Sequence, residues 1–450
     1  MKDLTKGNIT RLMIGFAVPI LIGSIFQQLY GIIDTKVVSE KLGEEALASM
    51  GAVTPVYNLI IGFAIGLTSG FAIIIARFFG AGDMKKMKQS VAGTLVLGMI
   101  ISVAFTVLSL AFIKPLLHLL QTDDDLIGGC LDYINIIFMG ITVTMVYNML
   151  SGILRALGNT VAPLVFLAIS SVINIFLDYA MVDSFGIKGA AYATVISQLV
   201  SAVLCIAYIA LRCPELHLSK ADFRFDFKMI KELFKTGFAM GFMISFVDIG
   251  TVALQSAING FDDTHIVAAH TAARKISGFA MMPFSAITSA VSTFCSQNLG
   301  AGKIKRIKRG IYQSIIASWI WSAVVVIFAF TPLCRFTVNW LIGADKAEAV
   351  SIAIYYLKIN TPFYFVLGVL LVLRCAMQGL SRGVVPVVSS FIELAGKMII
   401  AFLLAPILGY FGVAISEPII WILCTIWLTL SLFTDKTLYP RKTKAKLKTA

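Results

Sequence analysis

The sequence predicts an all-α polytopic membrane protein: twelve transmembrane helices in two parallel six-helix lobes. Three observations carry this reading. Hydrophobic residues make up 58% of the 450 positions and charged residues 14%, with a mean hydropathy of +0.89. A soluble domain holds about 45–50% apolar and about 25% charged residues. Apolar runs recur along the whole chain, each near the roughly 20 residues a helix needs to cross a bilayer. The chain also repeats itself. Arg77-Phe78-Phe79-Gly80-Ala81-Gly82 returns as Gln297-Asn298-Leu299-Gly300-Ala301-Gly302, an offset of 220 residues. Leu157, Pro163 and Gly189-Ala190-Ala191 return as Leu380, Pro386 and Gly412-Val413-Ala414, an offset of 223. Self-similarity at about half the chain length marks a duplicated unit.

In order, the twelve spans fall near 12–38, 49–76, 90–113, 131–154, 161–183, 189–211, 236–259, 264–295, 311–334, 350–377, 383–405 and 411–433. Barrel strands would alternate in polarity over about ten residues. These runs do not alternate, so they are helices. The polar stretch Arg212 to Lys235 divides them six and six. An even number per copy keeps the copies parallel, an arrangement typical of transporters built from repeats. The predicted units are a first lobe (1–213), a linker (214–227), a second lobe (228–434) and a basic tail (435–450). The opening Met1-Lys2-Asp3-Leu4-Thr5-Lys6 carries no cleavable-signal pattern.

Charge sets the expected orientation. Of 37 Lys and Arg, 26 fall in the N-terminus, the even-numbered loops and the tail, 5 in the odd-numbered loops and 6 in the spans. The positive-inside rule places the basic side, with both termini, in the cytoplasm of a cell-membrane protein. The net charge of +13 is thus a topology signal and an attraction to anionic lipid, not a reason to expect nucleic acid. The seven cysteines have no metal-ligand spacing, and most lie in spans, where they serve as small apolar residues.

Gly80-Ala81-Gly82-Asp83 matches the G-x-G-D pattern of intramembrane aspartyl proteases. The second copy reads Gly300-Ala301-Gly302-Lys303, which removes the acid. A glycine turn closing a helix at the basic face is the simpler reading, so no catalytic residue is expected. Gly62, Gly66 and Gly70 on span two, and Gly237 and Gly241 on span seven, form small-residue stripes that predict close helix packing.

An ionisable group at the bilayer centre costs roughly 2.5–3.5 kcal/mol on insertion scales, so it needs a partner or a task. Asp34 lies in the outer part of span one. Asp178 lies in the outer part of span five, with Asn174 one turn deeper on the same face. Tyr133 of span four and Thr194 of span six fall at similar depth. Five oxygen-bearing side chains from four helices could hold a hard cation such as Na⁺. Two carboxyls brought together at low dielectric could instead share a proton. The interface-seeking alternative suits Tyr133 best, since Asp is too short to snorkel far.

The second lobe holds a different set: Asp248, His270, Arg274, Lys275, Glu393, Lys397 and Glu417. Glu393 and Lys397 stand in the favourable i,i+4 order and read as a self-neutralising pair. Arg274 and Lys275 sit about ten residues into span eight and must face a partner or a wet cavity, with Asp248 a candidate partner. Under the 223 offset, Lys397 takes the place of Asn174, Ala401 that of Asp178 and Glu417 that of Thr194. Met281, Met282 and Phe284 on span eight are candidates for an adaptable apolar substrate surface, with core packing as the ordinary alternative.

Several stretches together carry a resemblance. They are Gln27-Gln28-Leu29-Tyr30 through Asp34-Thr35, both Gly-Ala-Gly turns, Leu154-Arg155-Ala156-Leu157-Gly158-Asn159, Asn174-Ile175-Phe176-Leu177-Asp178, Gly189-Ala190-Ala191-Tyr192-Ala193-Thr194, Glu393-Leu394 and Glu417-Pro418. Over about residues 10–430 the chain resembles the multidrug and toxic compound extrusion (MATE) family of secondary transporters. The resemblance implies two lobes around a central cleft that opens alternately to each side. It implies export of small organic, often cationic or amphipathic, compounds driven by inward Na⁺ or H⁺. It places the coupling cation at Asp34, Asn174 and Asp178, supported by Tyr133 and Thr194. No cofactor beyond that ion is expected, and a monomer in lipid is the expected state. Lys36, Ser39 and Glu40 depart from the family pattern around Asp34. A flippase of lipid-linked saccharides is the rival reading; it would want a basic, hydrated cavity. A channel is disfavoured, because nothing resembles a selectivity filter.

Overall fold

The computed structural model describes residues 3–119, 122–224, 226–261, 263–343 and 346–440. Residues 441–450 of the predicted basic tail lie outside them. Among the described residues the ordered structure is helical, with no strand. Nine helices among the described residues are long and apolar enough to cross a membrane. Ile9–Gly80, at 72 residues, contains spans one and two, broken at Gly43 where φ is 83°. Val384–Thr434 contains spans eleven and twelve, passing through a π-helical turn at Ile400–Leu404 and a break at Gly409 with φ 59°. Asp124–Met139 and Ile141–Ala156 bend by 45° at Gly140 and make span four. The twelve expected spans are thus all present. Span ten is Ala347–Asn360 joined by one 3-10 turn to Tyr364–Gly379. One helix was not expected: Pro332–Ile342, which follows span nine where a loop was read. Pro332 at its first turn suits a new helix start.

The two Gly-Ala-Gly turns are the same object built twice. In the first, Gly82 donates to Phe79 O at 3.1 Å and Asp83 to Phe78 O at 3.2 Å. In the second, Gly302 donates to Leu299 O at 3.0 Å and Lys303 to Asn298 O at 2.8 Å. Both are Schellman helix ends, and both need a left-handed residue, supplied by Gly82 (φ 72°) and Gly302 (φ 69°).

These turns dock on each other. A side chain at Gly80 would strike the backbone of Gln297, and one at Gly300 would strike the backbone of Arg77. Gln297 is the repeat counterpart of Arg77, so the contact is reciprocal, as in a two-fold dimer. The glycine stripes also pack face to face: a Cβ at Gly66 would meet Met240 and Gly241, and one at Gly70 would meet Gly237 and Thr236. The cores exchange residues in the same manner. Ile9, Met13 and Phe16 of span one are buried in the second lobe's core, while Met229 and Leu233 of span seven are buried in the first's.

Polar bonds fasten this face. The fully buried Gln297 donates to Ala156 O at 2.7 Å and accepts from Leu4 N–H at 3.0 Å. Arg77 grips both oxygens of Glu232, at 2.6 and 2.7 Å. On the basic face, therefore, the lobes are closed against each other.

Candidate functional site

Between the lobes lies a cavity of about 460 Å³, lined from spans one, two, four, five, seven, eight and ten. Its walls mix small and hydroxyl residues, among them Ser24, Ser69, Ser151, Thr160, Ser289 and Ser292. A second cavity, of about 100 Å³, runs into the first lobe and shares Gln27, Ile65, Tyr147, Asn148 and Leu167 with the first. Its inner wall includes Tyr30, Tyr57, Asn174, Thr194 and Gln198.

The predicted cation set lies at that wall, with Asn174 and Thr194 in it and Asp34, Asp178 and Tyr133 outside its lining. Asp34 is 8% exposed, Asn174 1% and Asp178 0%. Asp34 and Asp178 lie close enough to interact electrostatically. Both oxygens of Asp178, Oδ1 of Asp34, both polar atoms of Asn174 and Oε1 of Gln198 are buried without a hydrogen-bond partner among the described residues. Each orphan of this kind costs about 1–3 kcal/mol, more for a charge. A group of buried oxygens that no other protein group satisfies has the chemistry of a cation or proton site.

Thr194 is half-buried on the cavity wall. Tyr133 is half-buried against Val37, Val38 and Val182, which lie one turn beyond Asp34 and Asp178. Its hydroxyl bonds neither the orphaned oxygen of Asp34 nor Asp178. Lys36 points away, to Glu40 at 3.5 Å on the exposed face. Tyr30, Tyr57, Gln198 and Ser170 were not singled out from the sequence. Three of them had a signal: Tyr30 precedes Asp34 by four, Ser170 precedes Asn174 by four, and Gln198 follows Thr194 by four.

Most of the second lobe's interior charges fall into two satisfied clusters, with Asp248 outside both. Arg274 pairs with Glu417 at 2.9 Å, not with the candidate partner Asp248. Tyr356 donates to the other Glu417 oxygen at 2.8 Å, and His270 packs edge-on to Tyr356 with Nδ1 3.3 Å from the Tyr410 hydroxyl. In the other cluster Glu393 receives Lys397 at 3.1 Å, the predicted pair, and also Arg374 at 3.0 Å. Arg374 was not anticipated. Lys397 further donates to Thr251 at 3.1 Å. Asp248 lies near Lys397 but bonds instead to nothing among the described residues, half-buried beside Gly62. Lys275 is exposed.

The apolar substrate surface expected on span eight is corrected. Phe284 is fully buried in the second lobe's core, edge-on to Tyr364. Met281 packs against that core, Met282 is half-buried, and none of the three is among the cavity's described lining residues. Span eight presents Ser285, Thr288, Ser289, Ser292 and Thr293 instead. The polar stripe, not the apolar one, faces the gap, because the apolar residues are drawn into the lobe's own core.

Comparison with known proteins fits this architecture. The family model described as MatE matches residues 19–180 and 239–403, once in each half. The chain is 27% identical over 412 residues to the probable multidrug resistance protein YoeA of Bacillus subtilis, covering 89% of this chain and 88% of that one. It is 25% identical over 437 residues to an FAD transporter of Shewanella oneidensis, covering 93% and 94%. Among solved structures, the outward-facing conformation of a multidrug resistance MATE family transporter superposes with a TM-score of 0.88, at 22% identity over 95% of this chain and 97% of that one. With both halves matched by the family model and the twelve-span, two-lobe fold in place, the chain belongs to the MATE family of multi-pass membrane transporters and is not an enzyme.

Proposed function

We propose that the chain is a cation-coupled antiporter that exports small amphipathic organic compounds by alternating access, in the cell membrane with both termini cytoplasmic. The observation that carries this reading is the orphaned set Asp34, Asn174 and Asp178, of which Asn174 lines a cavity that shares five wall residues with the cleft. A cation or proton entering there satisfies oxygens that the protein leaves unpaired. Coupling needs only that ion and substrate each differ in affinity between the two cleft orientations. Asp34 is on span one, whose first turns pack into the second lobe. Occupancy at Asp34 can therefore act on the lobe contact through a single helix. With the basic face closed, the cleft has no opening toward the side assigned to the cytoplasm in this conformation.

Two kinds of support are independent of that geometry. The positive charge bias assigns the closed face to the cytoplasm. The related proteins carry the names of multidrug resistance proteins and of an FAD transporter, which fits export of organic compounds.

The test is flux in proteoliposomes under imposed Na⁺ or H⁺ gradients, using ethidium and carboxyfluorescein as probes. One gradient should drive at least one dye, and Asp34→Asn should abolish that drive while the protein still folds. Gradient-independent flux of both dyes, or full driven transport by Asp34→Asn, would overturn the reading.

A further inference from the structure

We propose that Arg155 is the charge-recognition residue of the central cleft and that the cleft accepts organic anions or zwitterions through a carboxylate, sulfonate or phosphate group. This rests on the transporter reading and adds the sign of the substrate's charge to it. Arg155 occupies the last turn of span four and lines the 460 Å³ cavity. The described lining residues include no Asp, Glu, Lys or His, so its guanidinium is the one formal charge on those walls. The other guanidinium and ammonium groups at the lobe contact and in the second lobe's interior are paired: Arg77 with Glu232, Arg274 with Glu417, Arg374 and Lys397 with Glu393. Arg155 makes no ion pair among the described residues. The titratable groups near enough to act on its charge are Tyr147 and Cys205, neither a counter-ion at neutral pH.

A basic residue in a helix's last turn ordinarily serves the helix dipole and its free carbonyls. Here the nearby Ala156 carbonyl is taken by Gln297, at 2.7 Å. The guanidinium is left half-buried at the cavity wall, where a desolvated fork of donors matches a carboxylate or phosphate. Hydroxyls and amides on the same walls, including Asn148, Thr160, Ser292 and Thr293, can share an anion's remaining lone pairs. The repeat sharpens the point. Under the 223 offset the counterpart of Arg155 is Gln378, which lines the same cavity and donates to Met243 Sδ at 2.7 Å. One wall thus offers a cation where its twin offers a neutral amide, and no acid is present to attract a cationic drug.

The experiment compares carboxyfluorescein and ethidium in proteoliposomes under the driving gradient, with binding to the detergent-solubilised protein measured by dye anisotropy. Wild type should bind and move carboxyfluorescein. Arg155→Gln should weaken both by roughly tenfold or more and leave ethidium unchanged or improved, while Arg155→Lys recovers part of the loss. If Arg155→Gln does not fold, Gln378→Glu carries the test. It adds a carboxylate to the same walls and should shift preference from carboxyfluorescein to ethidium with Arg155 intact. Driven transport of ethidium without carboxyfluorescein by the wild type sinks the anion site and leaves the transporter reading standing. Equal loss of both dyes in folded Arg155→Gln sinks it too. Absence of driven flux for either dye sinks the transporter reading itself, while loss of carboxyfluorescein binding in Arg155→Gln would still support the site.

Discussion

The two lobes share a scaffold and treat buried carboxylates in opposite ways. In the second lobe Glu393 holds Arg374 and Lys397, and Glu417 holds Arg274 and Tyr356. In the first, Asp178 has no partner for either oxygen, and Asp34 and Asn174 are orphaned beside it. Positions that correspond under the repeat carry Lys397 against Asn174, and Ala401 against Asp178. Where the second lobe supplies its own cation, the first leaves room for one. A satisfied network of this kind fixes how helices pack. An unsatisfied one responds to whatever enters it.

The largest effect that tests this contrast is on stability. Removing one partner of a buried ion pair costs about 3–5 kcal/mol, because the other charge is left stranded. Arg374→Met should therefore lower the thermal midpoint strongly in detergent. Asp178→Asn removes a charge that had no partner, so its midpoint should be unchanged or higher. Comparable losses from the two substitutions would erase the distinction between the lobes.

A smaller effect should come from the ion itself. A ligand at 100 times its dissociation constant stabilises the protein by about 2.7 kcal/mol. Raising Na⁺, or lowering pH if the ion is a proton, should raise the wild-type midpoint and leave Asp178→Asn unmoved. The Glu393→Gln protein, altered in the other lobe, should keep the response. A response that survives in Asp178→Asn but vanishes in Glu393→Gln would move the ion to the second lobe.

What the sequence made legible follows from what is periodic. Hydropathy placed the spans, and the repeat located the turns that dock in the fold. Depth along a helix was readable too, which is why Asp34, Asn174 and Asp178 came together. Azimuth between distant helices was not. Asp248 was the candidate partner of Arg274, yet Arg274 reaches Glu417 on span twelve. Arg374 stands alone in the apolar run Val372-Leu373-Arg374-Cys375, and its partner Glu393 lies nineteen positions on, across a turn. No spacing rule within one helix finds such a pair. Phe284 failed for a related reason. Its helix has one polar and one apolar face, and nothing local says which neighbour each face meets. Tyr30 and Gln198 were within reach, since the i,i+4 step that joined Asn174 to Asp178 also leads to them.

The smallest expected effect concerns the place where the lobes agree. Gly82 and Gly302 sit in matching left-handed positions with open space around each, so an added methyl would meet no neighbour. Only backbone strain separates Gly82→Ala or Gly302→Ala from wild type, about 1 kcal/mol in either lobe. Gly80→Ala and Gly300→Ala should behave differently from these and like each other. Their backbones have room, but each methyl would collide with the facing lobe. They should leave either lobe's own packing intact and pry the basic face open, seen as faster labelling of a cysteine placed at Ser292 in the cleft. If Gly82→Ala opened the face as readily as Gly80→Ala, the reciprocal contact would be an accident of packing. If Gly80→Ala and Gly300→Ala differed sharply, the two-fold relation between the turns would be formal only, and the lobes would be asymmetric at their junction as well as in their charges.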